Sequence, residues 1–164
     1  MTTNFNWKKG IFANEYSIYS DGKPVGRLKE KTFSQTALGE LNDKKYVFKT
    51  KGFLKQRTDI LDASESKLIG KINYNSWMNK AAITVNGKTV SWKYNNAWNT
   101  KWSLYDTGGT LVKYAGSGGK GQIQSDIADE LLILSGLYVT NYYWQMTIVV
   151  LVAVFIPLWT TVLS

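Results

Sequence analysis

Cysteine and histidine are both absent from the 164-residue chain. Their absence removes disulfides, thiolate nucleophiles, imidazole bases and the usual zinc or iron ligands together. The N-terminus, Met1-Thr2-Thr3-Asn4-Phe5-Asn6-Trp7-Lys8-Lys9, lacks the apolar run that a secretory signal requires after its basic residues. Charge is missing from the last 34 positions, 131–164, although charged residues make up 20% of the whole. Carboxylates are what remains for catalysis. Asp59, Asp62 and Glu65 lie in a turn-rich polar stretch with no apolar pocket evident to raise a pKa. The chain therefore reads as a non-catalytic protein that needs no cofactor and binds no metal. Asp126, Asp129 and Glu130 have a structural use, at the start of a helix, where carboxylates accept from free N–H groups and favour the dipole.

What is present in the charge-free zone is apolar bulk. As a helix, the 20 residues 144–163 would be about 30 Å long, the hydrocarbon thickness of a bilayer. Between Ile148 and Leu163 lie eleven Leu, Ile, Val or Phe residues, together favouring insertion by about 3 to 6 kcal/mol. Thr147, Pro157, Thr160 and Thr161 reduce that sum. Tyr142-Tyr143-Trp144 and Trp159 stand where aromatic side chains meet the two interfaces. All 20 Lys and Arg precede the span, which by the positive-inside tendency puts the N-terminal domain in the cytoplasm. With only Ser164 after Leu163, the expectation is a single-pass tail anchor. As one helix the whole zone would run about 51 Å, more than a bilayer needs. It is apolar on every side, so its first part must be enclosed by protein. The zone divides into a protein-enclosed helix at about 127–142 and a membrane span at 144–163.

Before it, residues 1–124 alternate short β-branched and aromatic segments with turn residues and show no long helical periodicity. Turn signals recur every 21 or 22 residues, at Asp21-Gly22-Lys23, Asn42-Asp43-Lys44, Ser64-Glu65-Ser66, Asn86-Gly87-Lys88 and Thr107-Gly108-Gly109. That period suits successive hairpins. Lys23-Pro24-Val25-Gly26-Arg27-Leu28 is echoed 44 positions later by Lys67-Leu68-Ile69-Gly70-Lys71-Ile72, and Asn86-Gly87-Lys88-Thr89-Val90 is a weaker third copy. A meander of about ten strands has edges to protect, and closing into an antiparallel β-barrel removes them. The helix near 127–142 would fill the barrel, making residues 1–142 one basic domain.

The hairpin elements Val25-Gly26-Arg27-Leu28 and Ile69-Gly70-Lys71-Ile72, followed by the apolar run from Asp129 to Tyr138, resemble the tubby C-terminal-like superfamily. That superfamily includes LURP-one-related proteins and phospholipid scramblases, and the resemblance covers about residues 5–142. It implies a closed barrel around a hydrophobic helix and binding of phosphoinositides or related lipids, with scramblase-like lipid transfer as an alternative. A separate membrane span departs from the plain family pattern.

The net charge of +8 is uneven: residues 23–57 hold ten bases and three acids, and residues 66–105 hold six Lys and no acid. With side chains alternating along a strand, Arg27, Lys29 and Lys31 share one face, as do Lys49 and Lys51. Beside a membrane such rows would meet anionic lipid head groups at about 1 kcal/mol per residue. These five are the candidate lipid-binding residues; integral membrane protein subunits are the other candidate partners. Trp77, Trp92, Tyr94, Trp98 and Trp102 interleave with Lys80, Lys93 and Lys101, a pattern that also suits stacking on bases. Barrel packing accounts for these aromatics more simply, and no nucleic-acid partner is expected. Gly116-Ser117-Gly118-Gly119-Lys120-Gly121 lacks the phosphate-loop spacing and reads as a flexible link into the helix.

Overall fold

The computed structural model describes the chain except for residues 11–12, 32–33, 53–55 and 163–164 and the side chain of Thr160. Twelve strands follow one another: β1 Thr3–Lys9, β2 Glu15–Ser20, β3 Lys23–Glu30, β4 Thr36–Leu41, β5 Lys44–Lys51, β6 Arg57–Asp62, β7 Leu68–Tyr74, β8 Lys80–Val85, β9 Lys88–Tyr94, β10 Lys101–Asp106, β11 Gly109–Ser117 and β12 Lys120–Ser125. Each pairs antiparallel with its neighbour, and β1 pairs with β12 from Thr3 opposite Ser125 to Lys8 opposite Lys120. The sheet is thus a closed barrel, with two strands more than the turn signals alone suggest. Alternation sorts the side chains: in β8, Ala81, Ile83 and Val85 are buried and the residues between them point outward.

All five turn signals are hairpin turns, joining β2 to β3, β4 to β5, β6 to β7, β8 to β9 and β10 to β11. Because strand direction alternates, all five lie at one end of the barrel. Asn86 and Gly87 both take positive φ, as a two-residue hairpin requires. The Gly116 to Gly121 stretch is another such hairpin and not a link into the helix: Gly118 and Gly119 make the β11–β12 turn at φ 62° and 83°, and Gly116 pairs with Gly121.

The echo between β3 and β7 is structural. Register shifts occur between Ile18 and Tyr19 opposite β3, and between Ile60 and Leu61 opposite β7. A third lies between Leu104 and Tyr105 opposite β11. The third repeat is therefore β11, not the stretch 86–90, and the barrel consists of three four-strand units each bent at the same point.

The barrel is filled by one helix, α1 Glu130–Val162. Asp129 caps it, its Oδ1 accepting from the Leu132 N–H at 3.0 Å, and so fixes its start three residues after the expected 127. Leu131, Ile133, Leu134, Leu137, Tyr138, Val139 and Tyr143 are buried among Ile18, Leu28, Phe48, Ile60, Ile72, Ile83, Leu104 and Ile123. The two helices expected from the sequence are one continuous rod whose surroundings change at residue 143. Tyr143 is 1% exposed, Trp144 is 59% exposed, and Ile148 to Leu158 carry large apolar side chains bare of protein. By length and composition α1 is a helix able to cross a membrane.

Candidate functional site

Helix α1 enters the barrel at the end that holds the five hairpin turns. There Glu130 accepts from Lys44 at 2.6 Å and Asn42 at 3.3 Å, and Asp126 accepts from the Thr2 hydroxyl at 2.7 Å. It leaves through the opposite end, where the chain joins β1 to β2, β3 to β4, β5 to β6, β7 to β8, β9 to β10 and β11 to β12. This exit end is the candidate site.

A polar collar grips the helix at its exit. Asn141, 2% exposed, accepts from the Lys9 ammonium at 2.7 Å and donates to Glu30 at 2.6 Å. One turn on, Gln145 donates to the other oxygen of Glu30. Burial holds the Lys9 pKa below its ordinary value, with the Glu30 charge partly opposing the shift. Tyr142 stacks on Tyr74 at 3.9 Å and donates to Gln56. Tyr138 and Tyr74 extend the collar inward through Thr50 and Thr58, whose hydroxyls are 2.7 Å apart. Beside it a cleft of about 450 Å³ runs from Glu30, Lys31 and Gln56 to Met146 and Val149 on the emerging helix.

Two exit-end loops share one construction. In the β7–β8 loop the Asn75 side chain accepts from the N–H groups of Asn79 and Lys80, both at 3.1 Å, and Met78 takes φ 52°. In the β9–β10 loop Asn96 accepts likewise from Thr100 and Lys101, both at 3.0 Å, and Asn99 takes φ 55°. Each loop therefore projects a tryptophan two residues after its asparagine, Trp77 at 85% exposure and Trp98 at 86%. Core packing accounts for Trp92, Trp102 and Tyr94, as expected, but not for these two. They are loop-tip residues, and the turn geometry turns them away from the core.

The five basic candidates lie on the outer surface of β3 and β5 or just beyond, and each is held by an acid. Arg27 meets Glu40 at 3.4 Å, Lys29 meets Glu15 at 3.8 Å, and Lys31 and Lys49 share Glu65. Lys51 meets Asp59 at 2.8 Å, which Arg57 also approaches at 3.4 Å. Arg27 and Glu40, and likewise Lys29 and Glu15, are direct cross-strand partners. The expected rows are thus strips of alternating charge. Asp59 and Glu65 are occupied by these pairs, and Asp62 closes the β6–β7 turn by accepting from Ser66 and Lys67 N–H groups.

Charge separates along the barrel axis instead. Asp21, Glu40, Asp43, Asp62, Glu65, Asp106, Asp126, Asp129 and Glu130 lie at or near the entry end, although Glu65 reaches Lys31, while Glu15, Glu30 and Asp59 lie toward the exit end. Lys8, Lys9, Lys31, Lys51, Arg57, Lys80, Lys101 and Lys120 lie at the exit end. Among the described residues Lys80, Lys101 and Lys120 are in no ion pair. From the sequence, Trp77 and Trp98 fall with the other aromatics under barrel packing, Lys80 and Lys101 appear only as their interleaved bases, and the collar is not foreseen. The one available signal was the recurrence of Asn-x-Trp-x-x-Lys after 21 residues, at Asn75 and Asn96. Comparison with protein-family models, with curated proteins and with solved structures found no match to the chain.

Proposed function

We propose that the chain is a non-catalytic membrane-anchored module whose barrel rests by its exit end on an anionic leaflet, binding lipid head groups and serving as an accessory subunit to membrane proteins there. The observation that carries this reading is that the apolar helix leaves through the end of the barrel that is rich in bases and poor in acids. No linker separates the last buried residue, Tyr143, from the bare helix at Trp144, so a bilayer around the span meets that end directly. Cations near such a surface each contribute about 1 kcal/mol. Lys80, Lys101 and Lys120 are better placed for this than Arg27 or Lys49, whose charges are balanced within the barrel surface. The positive-inside tendency makes the leaflet the cytoplasmic one.

The test is lipid retention by the full chain released from vesicles of equimolar phosphatidylcholine and phosphatidylserine, read by native mass spectrometry. Preferential retention of phosphatidylserine, lost in a Lys80→Glu/Lys101→Glu/Lys120→Glu variant, is expected; equal retention of both lipids sinks head-group binding. The same preparation from native membranes reports accessory partners. A second reading, scramblase-like lipid transfer within a tubby-like family, draws on the barrel closed around an apolar helix and on the cleft leading from Glu30 and Lys31 to Val149. A lipid-flip assay on reconstituted vesicles tests it, and a rate equal to that of empty vesicles removes it.

A further inference from the structure

The bare tryptophans at the exit end have no side-chain hydrogen bond or ring contact among the described residues, and their loops are built to keep them exposed. Both loops are closed at the base by an asparagine side chain and by a backbone bond, Met78 N–H to the Asn75 carbonyl at 3.2 Å and Asn99 N–H to the Asn96 carbonyl at 3.3 Å. The first loop is tied to the helix at both its ends. The Tyr143 hydroxyl accepts from the Asn75 N–H at 3.2 Å and donates to the Lys80 carbonyl. Tyr143 also contacts the ring of Trp92, at 5.4 Å, in the strand that leads into the second loop. The base of the first loop thus stands level with Tyr143, the last enclosed residue, the second loop follows a strand in contact with it, and both lie at the end through which the helix leaves.

From this we infer that Trp77 and Trp98 are a pair of interfacial anchors, which insert into the head-group region of the leaflet that the helix enters and fix the tilt and rotation of the barrel on the membrane. The inference rests on the reading of α1 as a membrane span. Three observations select a bilayer as the occupant. The span begins at Trp144, beside the base of the first loop, so the boundary between head groups and acyl chains lies at the end of the barrel that carries both tips. Tryptophan, with an apolar ring and one N–H donor, favours that boundary. An exposed lysine, Lys80 or Lys101, follows each tip by three residues and is free of ion pairs among the described residues, so each tip carries a cation suited to lipid phosphate. A single anchor would leave the barrel free to rock about α1; two, separated by the β8–β9 hairpin, define a plane.

The absence of native cysteine makes the test direct. Trp77→Cys, Trp98→Cys, Val154→Cys and Lys88→Cys, each in the full chain, are labelled with an environment-sensitive fluorophore and reconstituted in vesicles of equimolar phosphatidylcholine and phosphatidylserine. Lys88 lies at the entry end and Val154 in the span. Probes at 77 and 98 are expected to emit to the blue of the probe at 88 and to be quenched by lipids brominated near the head group. In the unlabelled Trp77→Phe/Trp98→Phe variant, shallow-brominated lipid should quench a smaller fraction of the intrinsic fluorescence than in the parent. If the probe at 154 is quenched by lipids brominated near the chain ends while those at 77 and 98 remain as water-exposed as that at 88, the anchors are disproved and the span stands. If 77 and 98 are shielded yet unquenched, protein covers them and the lipid assignment fails. A probe at 154 left unquenched by lipids brominated near the chain ends overturns the span itself.

Discussion

The Lys9 ammonium and the Asn141 carboxamide oxygen lie 2.7 Å apart, joining the first strand of the barrel to the turn of the helix that leaves it. The same amide donates to Glu30 at 2.6 Å, so one neutral side chain bridges a cation and an anion on two non-adjacent strands. Replacing Asn141 by Leu leaves both charges partly buried without their bridge. A cost of about 2 to 4 kcal/mol follows from two hydrogen bonds to charged groups. The check is a thermal melt of the β-sheet circular dichroism signal in detergent; an unchanged midpoint would contradict the collar.

Gly136→Ala should destabilise, although alanine is the better helix former by about 1 kcal/mol. A Cβ there would stand 2.2 Å from the Tyr114 hydroxyl oxygen and 2.6 Å from its ring. Tyr114 is fixed by its own bond to the Ile133 carbonyl at 2.9 Å, and Trp92 donates to the Gly136 carbonyl at 3.1 Å. Overpacking of this kind costs about 1 to 3 kcal/mol, and the same melt reads the difference. A rise in midpoint would show that helix propensity outweighs the contact.

Truncation after Tyr143 should give a folded, soluble barrel, because among the described residues none beyond it is part of the core. Within that truncation Leu134→Asp should abolish the cooperative melt. Leu134 is fully buried, and an unpaired charge at such a site costs several kcal/mol unless it is protonated. That is comparable with a whole domain's stability of about 5 to 15 kcal/mol. Thr140→Asp, half-buried near the exit, should be milder. If the Leu134→Asp truncation melts like its parent, the helix is not the core of the barrel.

Alkali should unfold the barrel from about pH 10 upward. Burial raises the pKa of Tyr16, Tyr94 and Tyr114 above the ordinary 10.0, that of Tyr94 to about 12. In the unfolded chain these hydroxyls lose their protons near pH 10, so above it the folded state binds more protons. Stability is therefore complete below pH 10 and declines as pH rises, by about 1.4 kcal/mol per pH unit for a fully buried group such as Tyr114. Lys9, its pKa lowered chiefly by burial, acts in the opposite sense up to 10.5, one group against these three and against Tyr46, Tyr74 and Tyr138, which burial shifts upward as well. Tyrosinate absorbance should rise together with loss of the β-sheet signal; complete ionisation near pH 10 with the sheet intact would contradict it.

The barrel and its central helix are legible because their signals are long and repetitive. The five turn signals are every second connection, and a charge-free zone longer than a bilayer leaves a stretch that protein must cover. The pairing of Arg27 with Glu40 and of Lys29 with Glu15 was hidden, since period-two alternation sets the face of a residue but not which strand's residue lies opposite. Trp77 and Trp98 were misread for a local reason. In an aromatic-rich stretch a tryptophan on a strand and one at a loop tip look alike until the Asn75 and Asn96 side chains are seen to close their loops. The division of charge between the two ends needed the alternation of strand direction through all twelve strands.

Because β1 pairs with β12 and α1 follows both, every wall of the barrel is synthesised before the helix that fills it. The early strands must wait, sheet unclosed and interior unfilled, for a segment that a lipid bilayer would also accept. Residues 130–143 thus face two competing destinations as they emerge, and the allocation of one rod between them decides whether the protein matures. Polar marks on the inner half, Ser135, Asn141 and the cap at Asp129, bias that choice toward the barrel. In the full chain the allocation of this one rod therefore fixes at once what fills the barrel and what is left to cross a membrane.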